Sequence, residues 1–193
     1  LRGARRLARS ATIAFIEQPM PQNTSIRGAT LAAIALIAFA VLWRMLQIES
    51  NFSPVAAIAL FAGAAFSDRR MAYGLPLAAM ALSDLYLGLH ALLPLVYGCM
   101  LLTTWLGTRI GHQPRWYSVL GYGLLSSLIF FVLTNFAVWL GGTLYPLTID
   151  GLIACFVMAL PFFKATALST AVFSAVMFTV WRLIAQKPRP SVA

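Results

Sequence analysis

Cys99 sits in the stretch LVYGCMLLTTW, a soft thiol inside an otherwise apolar run. A thiolate is a strongly donating ligand suited to a polarisable metal centre. As an uncharged thiol the same residue packs as a small hydrophobe, and from the residue alone both readings stay open. The other groups able to do chemistry are few. Asp84 lies in SDLYLG, His90 in GLHALLP, Cys155 in GLIAC and Lys164 in PFFK. An acid within an apolar segment is costly and marks a functional contact or a pairing partner, so Asp84 either bonds nearby backbone or touches a ligand. His90 is an axial ligand, a hydrogen-bond donor or a solvated loop residue; Cys155 reads as packing. Tyr86, Tyr97 and Tyr145 suit an aromatic belt at a membrane interface and equally the wall of a large, flat ligand's site. Asn51, Phe52, Ser53 and Thr148 are pocket candidates by location, Lys164 either snorkels or meets an anion, and Asn135 is expected to bond across helices. No CxxC, GxxxxGK[ST], GxSxG or HExxH occurs. These absences leave no zinc-finger spacing, phosphate loop, nucleophile elbow or zinc-protease helix to argue from.

The elements that must position these residues follow from composition. Of 193 residues, 61% are hydrophobic and 10% charged, against about 25% charged in soluble domains, and the mean hydropathy is +0.84. This is the profile of an all-α, multi-pass membrane protein. The apolar runs place spans at about 28–48, 55–66, 71–87, 93–110 and 118–140. The region 151–185 exceeds one straight span, and Pro161 is expected to divide it into a short surface helix over 151–159 and a sixth span over 161–184. Residues 1–19 read as a basic N-terminal extension, disordered, interfacial or upstream of a start at Met20. Residues 20–185 form the six-helix domain and 186–193 a cytoplasmic tail. Ala59 and Gly63 make a small-xxx-small pair suited to close packing.

The net charge of +9 is spread between apolar runs rather than along an aromatic-interleaved stripe, which speaks against nucleic acid and for topology. With both termini inside, all but Arg44 and Lys164 of the 14 basic residues fall in inner segments, as the positive-inside rule requires. The arrangement is N-in and C-in. The segments ESNFSP, GLHALLP and GGTLYPLTID then lie outside, and Cys99 stands about two turns, roughly 9 Å, beneath them. All three loops are expected to close over an outward pocket with Cys99 in its floor.

In their order and spacing, NFSPVAAIALFAGAAF, SDLYLG, YGC and TNFAVWL…YPLTIDGLIAC…PFF resemble the BtuM proteins. These are solitary cobalamin-binding membrane proteins related to the S components of energy-coupling-factor transporters. The resemblance implies an S-component-like fold in the bacterial cytoplasmic membrane, with cobalamin bound near the outer face. It implies that Cys99 ligates the corrin cobalt from the lower axial side, displacing the nucleotide base, and assists loss of cyanide from cyanocobalamin. The corrin supplies the hard chemistry and the protein the ligand and its orientation. Because a thiol must lose its proton to ligate, such binding weakens at low pH. Ala29 and Ala33 form one AxxxA repeat, the kind of face that docks an energising module in S components; a single repeat fits a protein working without one. Two alternatives remain: an S-component-like binder of another vitamin with Cys99 as packing, and a structural membrane subunit docking through Ala29, Ala33, Ala59 and Gly63.

Overall fold

A computed structural model describes residues 26–46, 51–111 and 114–185. The expected basic extension over 1–19 and tail over 186–193 lie outside the described residues, as does the side chain of Ala29. Six helices and no strand occur among the described residues: α1 (Ile26–Leu46), α2 (Val55–Ala65), α3 (Arg69–Leu87), α4 (Leu93–Ile110), α5 (Trp116–Leu140) and α6 (Ile149–Ala185).

Local chemistry sets the ends. Asp68 is extended and its side chain accepts from the Arg70 amide at 2.8 Å, an N-cap that satisfies one orphan donor of α3. Pro94 occupies the first turn of α4, where a missing N–H costs nothing. Gly88 (φ 99°) follows the last residue of α3 and Gly111 (φ 70°) that of α4, both in the left-handed region open to glycine. The Thr148 hydroxyl accepts from the Gly151 amide at 3.1 Å and caps α6.

Pro161 does not divide the last segment; α6 runs unbroken for 37 residues. The correction has a packing reason. Phe156 and Phe163 straddle the proline, and both rings meet Phe131 of α5, at 5.4 Å and 5.0 Å between centroids. The two halves of α6 are thereby held against one neighbour, and proline is tolerated inside apolar helices whose neighbours supply such support.

α2 is the central element, touching α3, α4, α5 and α6. Its Ala57, Ile58, Ala59, Leu60 and Ala62 are fully buried. It crosses α4 backbone to backbone: a Cβ on Gly63 would collide with the Thr104 carbonyl, and one on Gly107 with the Leu60 carbonyl. Only glycine permits this approach. Ala59 and Gly63 are therefore spent inside the molecule, and Ala33 is buried in the core with Ile58 and Leu75. That burial removes the docking face the structural-subunit reading needs at these three residues.

The core has two parts. One gathers Ala33, Val55, Ile58, Ala79 and Met100 toward the 51–54 and 88–92 connections. The other packs Leu60, Leu106, Ile110, Val119 and Phe178 toward the end carrying Arg69, Arg70, Arg109, Arg115 and Arg182. At this basic end Arg182 stacks on Trp116 (5.1 Å) and Arg109 on Trp105 (4.4 Å).

Among the described residues two helices are long and apolar enough to cross a membrane, Trp116–Leu140 and Ile149–Leu183. Their most apolar windows are only 28% and 17% buried, unlike core helices of a soluble protein. Leu31–Leu46 and Val55–Ala65 are shorter apolar helices.

Candidate functional site

A cavity of about 520 Å³ opens between α1, α4, α5 and α6, beneath the 51–54 and 88–92 connections. Its α4 wall is Val96, Met100 and Thr103, and its α5 wall is Ser126, Ser127, Phe130 and Thr134. The first set follows i, i+4, i+7 and the second i, i+1, i+4, i+8, spacings that place residues on one helix face. Trp43 and Arg44 supply α1, Met80 supplies α3 and Thr166 supplies α6. The volume falls within the ~300–1,000 Å³ range of small-molecule sites. A second hollow of about 100 Å³ between α5 and α6 shares Asn51, Phe130, Thr134 and Thr166 with the first.

The first connection forms the rim. Asn51 is in the left-handed region at φ 63°, which asparagine tolerates better than most residues. Its carbonyl accepts from the Thr166 hydroxyl at 3.4 Å. The Phe52 carbonyl accepts from the Trp43 indole N–H at 2.7 Å. Trp43, Phe52 and Phe173 form a ring cluster with centroids 5.0–6.3 Å apart. The rim is thus tied to α1 and α6 by two hydrogen bonds and two aromatic contacts, and the third ring contact joins α1 to α6 directly. Of the residues singled out from sequence, Asn51, Phe52, Ser53 and His90 line the cavity.

The remaining expectations divide. Asp84 is 2% exposed and away from the lining. Its Oδ1 pairs with Arg44 Nη2 at 2.6 Å, and its Oδ2 accepts from the Tyr97 hydroxyl at 2.8 Å. Arg44 Nη1 also donates to the Ser83 hydroxyl at 2.6 Å and lies 2.9 Å from the Met80 sulfur. One network therefore ties α1, α3 and α4 together, and Asp84 and Tyr97 act in it rather than on the cavity surface. Tyr86 is 70% exposed on the outer face of α3.

Tyr145 and Thr148 do not reach the cavity, so the third connection does not close over it. Thr166 is level with Asn51, whereas α6 begins at Ile149. The 17 residues between (166 − 149) rise about 25 Å at 1.5 Å each. The α5–α6 hairpin therefore stands well beyond the rim.

Cys99 is 3% exposed and is not in the cavity lining. Its carbonyl accepts from the Thr103 hydroxyl at 2.8 Å. Four residues along a helix advance about 40° beyond one full turn, so Cys99 lies on the flank of the face that Thr103 presents to the cavity. Cys99 and Cys155 are both free thiols. Cys155 donates to the Asn135 carbonyl at 3.4 Å, while the Asn135 side chain bonds back to Phe131 within α5. The α5–α6 link at this level runs through the backbone of Asn135 rather than its amide. Lys164 is exposed and outside the lining.

Sequence reading missed Trp43, Arg44, Met80, Val96, Met100, Thr103, Ser126, Ser127, Phe130, Thr134 and Thr166 as cavity residues. The available signal was the hydroxyls of Ser126, Ser127 and Thr134 recurring on one face of the apolar run of α5. Among the described residues no three His, Cys, Asp or Glu side chains gather into a metal site.

A model of a family of unknown function (DUF6580) matches residues 24–192. No curated protein and no solved structure matches the chain.

Proposed function

For this chain, which belongs to the DUF6580 family of unknown function, we propose capture and uptake of cobalamin across a bacterial cytoplasmic membrane, with Cys99 as the axial ligand of the corrin cobalt. The observation that carries the reading is the place of Cys99. It lies one turn from Thr103, on the helix that walls a cavity at the end opposite the basic residues. The membrane part of the reading takes six spans with both ends inside. It is supported by the exposed leucines, valines and phenylalanines of α1, α5 and α6, a surface that lipid rather than water would cover. It is also supported by the arginines gathered at one end. The cobalamin part is supported by the resemblance of the NFSPV, SDLYLG and YGC stretches to BtuM proteins.

In this mechanism the rim and aromatic cluster receive the corrin, and the Cys99 thiol is brought from the flank of α4 into the cavity. The cobalt–base bond breaks as the cobalt–sulfur bond forms, and the thiol proton leaves to the freed base or to solvent. Thiolate donation weakens the opposite cobalt–carbon bond. Cyanide departs with its electron pair and takes a proton as HCN, and cobalt stays trivalent, so no reductant is consumed in that step. The test is the visible spectrum of protein purified with cyanocobalamin, compared with Cys99→Ala. A wild-type spectrum displaced from the free vitamin and restored in the variant supports ligation; identical spectra sink it.

A second reading is favoured by a specific observation. A cavity of about 520 Å³ with a buried Cys99 beside it suits a vitamin smaller than a corrinoid, wholly enclosed, with the thiol as packing. Native mass spectrometry separates the two readings. The second expects a small ligand retained equally by wild type and Cys99→Ala.

A further inference from the structure

Arg44 is the cation the cavity presents. It lines the wall with its side chain 18% exposed, while Asp84, its counter-ion, is 2% exposed and set behind it. Among the described residues no acidic side chain lines the cavity, and His90 is the other ionisable group there. The guanidinium has five N–H donors in a rigid fork. Nη1 is engaged by Ser83 and Met80, and Nη2 gives one bond to Asp84. Among the described residues, Nε and the second N–H of Nη2 have no protein acceptor. They are the donors left to bond the oxygens of a phosphate or carboxylate. Asp84 is in turn held by the Tyr97 hydroxyl, so the arginine is fixed from behind before any ligand arrives. Preorganised donors of this kind bind without a further ordering cost.

From this arrangement we infer that Arg44 is the residue by which the cavity recognises an anionic oxygen group on its ligand, with Asp84, Ser83 and Tyr97 as positioning residues. The inference rests on the reading of the cavity as a ligand site. It adds a specificity: the ligand carries a phosphate or carboxylate, and analogues without it bind less well. A cobalamin meets the requirement through the phosphodiester of its nucleotide arm, and cobinamide, the same ring without that arm, does not.

The experiment uses the full chain in detergent and compares wild type with Arg44→Gln/Asp84→Asn. The double variant removes both charges, so that neither is left buried alone. Affinities for cyanocobalamin and dicyanocobinamide are measured on each. The wild-type preference for cyanocobalamin is expected to shrink by roughly 10- to 100-fold in the double variant, the value of charge-assisted hydrogen bonds. An unchanged preference overturns the inference while leaving the cobalamin reading standing. Should wild type bind neither corrinoid, the cobalamin reading fails by itself. Inorganic phosphate titrated against tryptophan fluorescence then decides the role of Arg44, because Trp43 lines the same cavity. A saturable response abolished in the double variant supports it, and a response that is absent or indifferent to the substitutions overturns it. If the double variant aggregates on size exclusion, Arg44→Lys replaces it. That change keeps the charge beside Asp84, loses the fork, and is expected to reduce the preference by at least about 5-fold; no reduction overturns the inference.

Discussion

The two ends of the bundle use the same helices in opposite ways. At the basic end, α2 and α4 cross with glycines in contact, and Phe61, Phe178 and Trp181 interlock with centroids 5.3–5.9 Å apart. Phe178 is fully buried there. At the cavity end the same helices part, hydroxyls line much of the α5 wall, and an ion pair between α1 and α3 is tied to α4 by the Tyr97 hydroxyl. The difference teaches where stability and where binding reside. The basic end is a dry, close-packed base. The cavity end leaves space and holds its helices apart with directional polar contacts.

The largest effect is expected from breaking the polar tie. Asp84→Ala leaves Arg44 buried without its counter-ion, a loss of about 3–5 kcal/mol. The thermal midpoint in detergent should fall steeply, and Arg44→Gln/Asp84→Asn should recover most of the fall. If the double variant is no better than the single, the charges are not coupled as described. Phe178→Ala probes the base: about 3–5 kcal/mol is expected from the cavity it leaves, with ligand affinity in the surviving folded fraction unaltered. A matching loss of affinity would erase the distinction between the two ends. Gly63→Ala pushes α2 from α4 and is expected to cost about 1–3 kcal/mol, read in the same melts. The smallest effect belongs to the rim. Trp43→Phe removes the bond to the Phe52 carbonyl, worth about 0.5–1.5 kcal/mol, and should speed ligand release more than it lowers the melting point.

Much of the helical framework was legible. The apolar run at 93–110 is the helix Leu93–Ile110, and the runs at 55–66 and 71–87 differ from α2 and α3 by one or two residues. Charged turns such as Asp68-Arg69-Arg70 and the glycines after α3 and α4 mark those ends in the sequence itself. Pro161 misled because its effect is decided by Phe131, Phe156 and Phe163, whose meeting is tertiary. The site was legible in its loops, where Asn51, Phe52, Ser53 and His90 had to be near the mouth. It was not legible on the helices. When the outer surface is as apolar as the core, hydrophobic periodicity does not reveal which face turns inward. Thr103 and Cys99 stand one turn apart in the same run, and only packing shows that the first meets the cavity and the second its flank. Asp84 and Arg44 lie 40 residues apart, and nothing local joins them.

The central claim is that Cys99, buried beside this cavity, takes cobalt. The most direct measurement is the visible absorption of the protein loaded with cyanocobalamin, recorded for wild type and for Cys99→Ala at matched occupancy. The expected result is a displaced spectrum with cyanide release in wild type, and the spectrum of the intact free vitamin in the variant. Binding with the same unshifted spectrum in both, or no corrinoid retained by either, would contradict it.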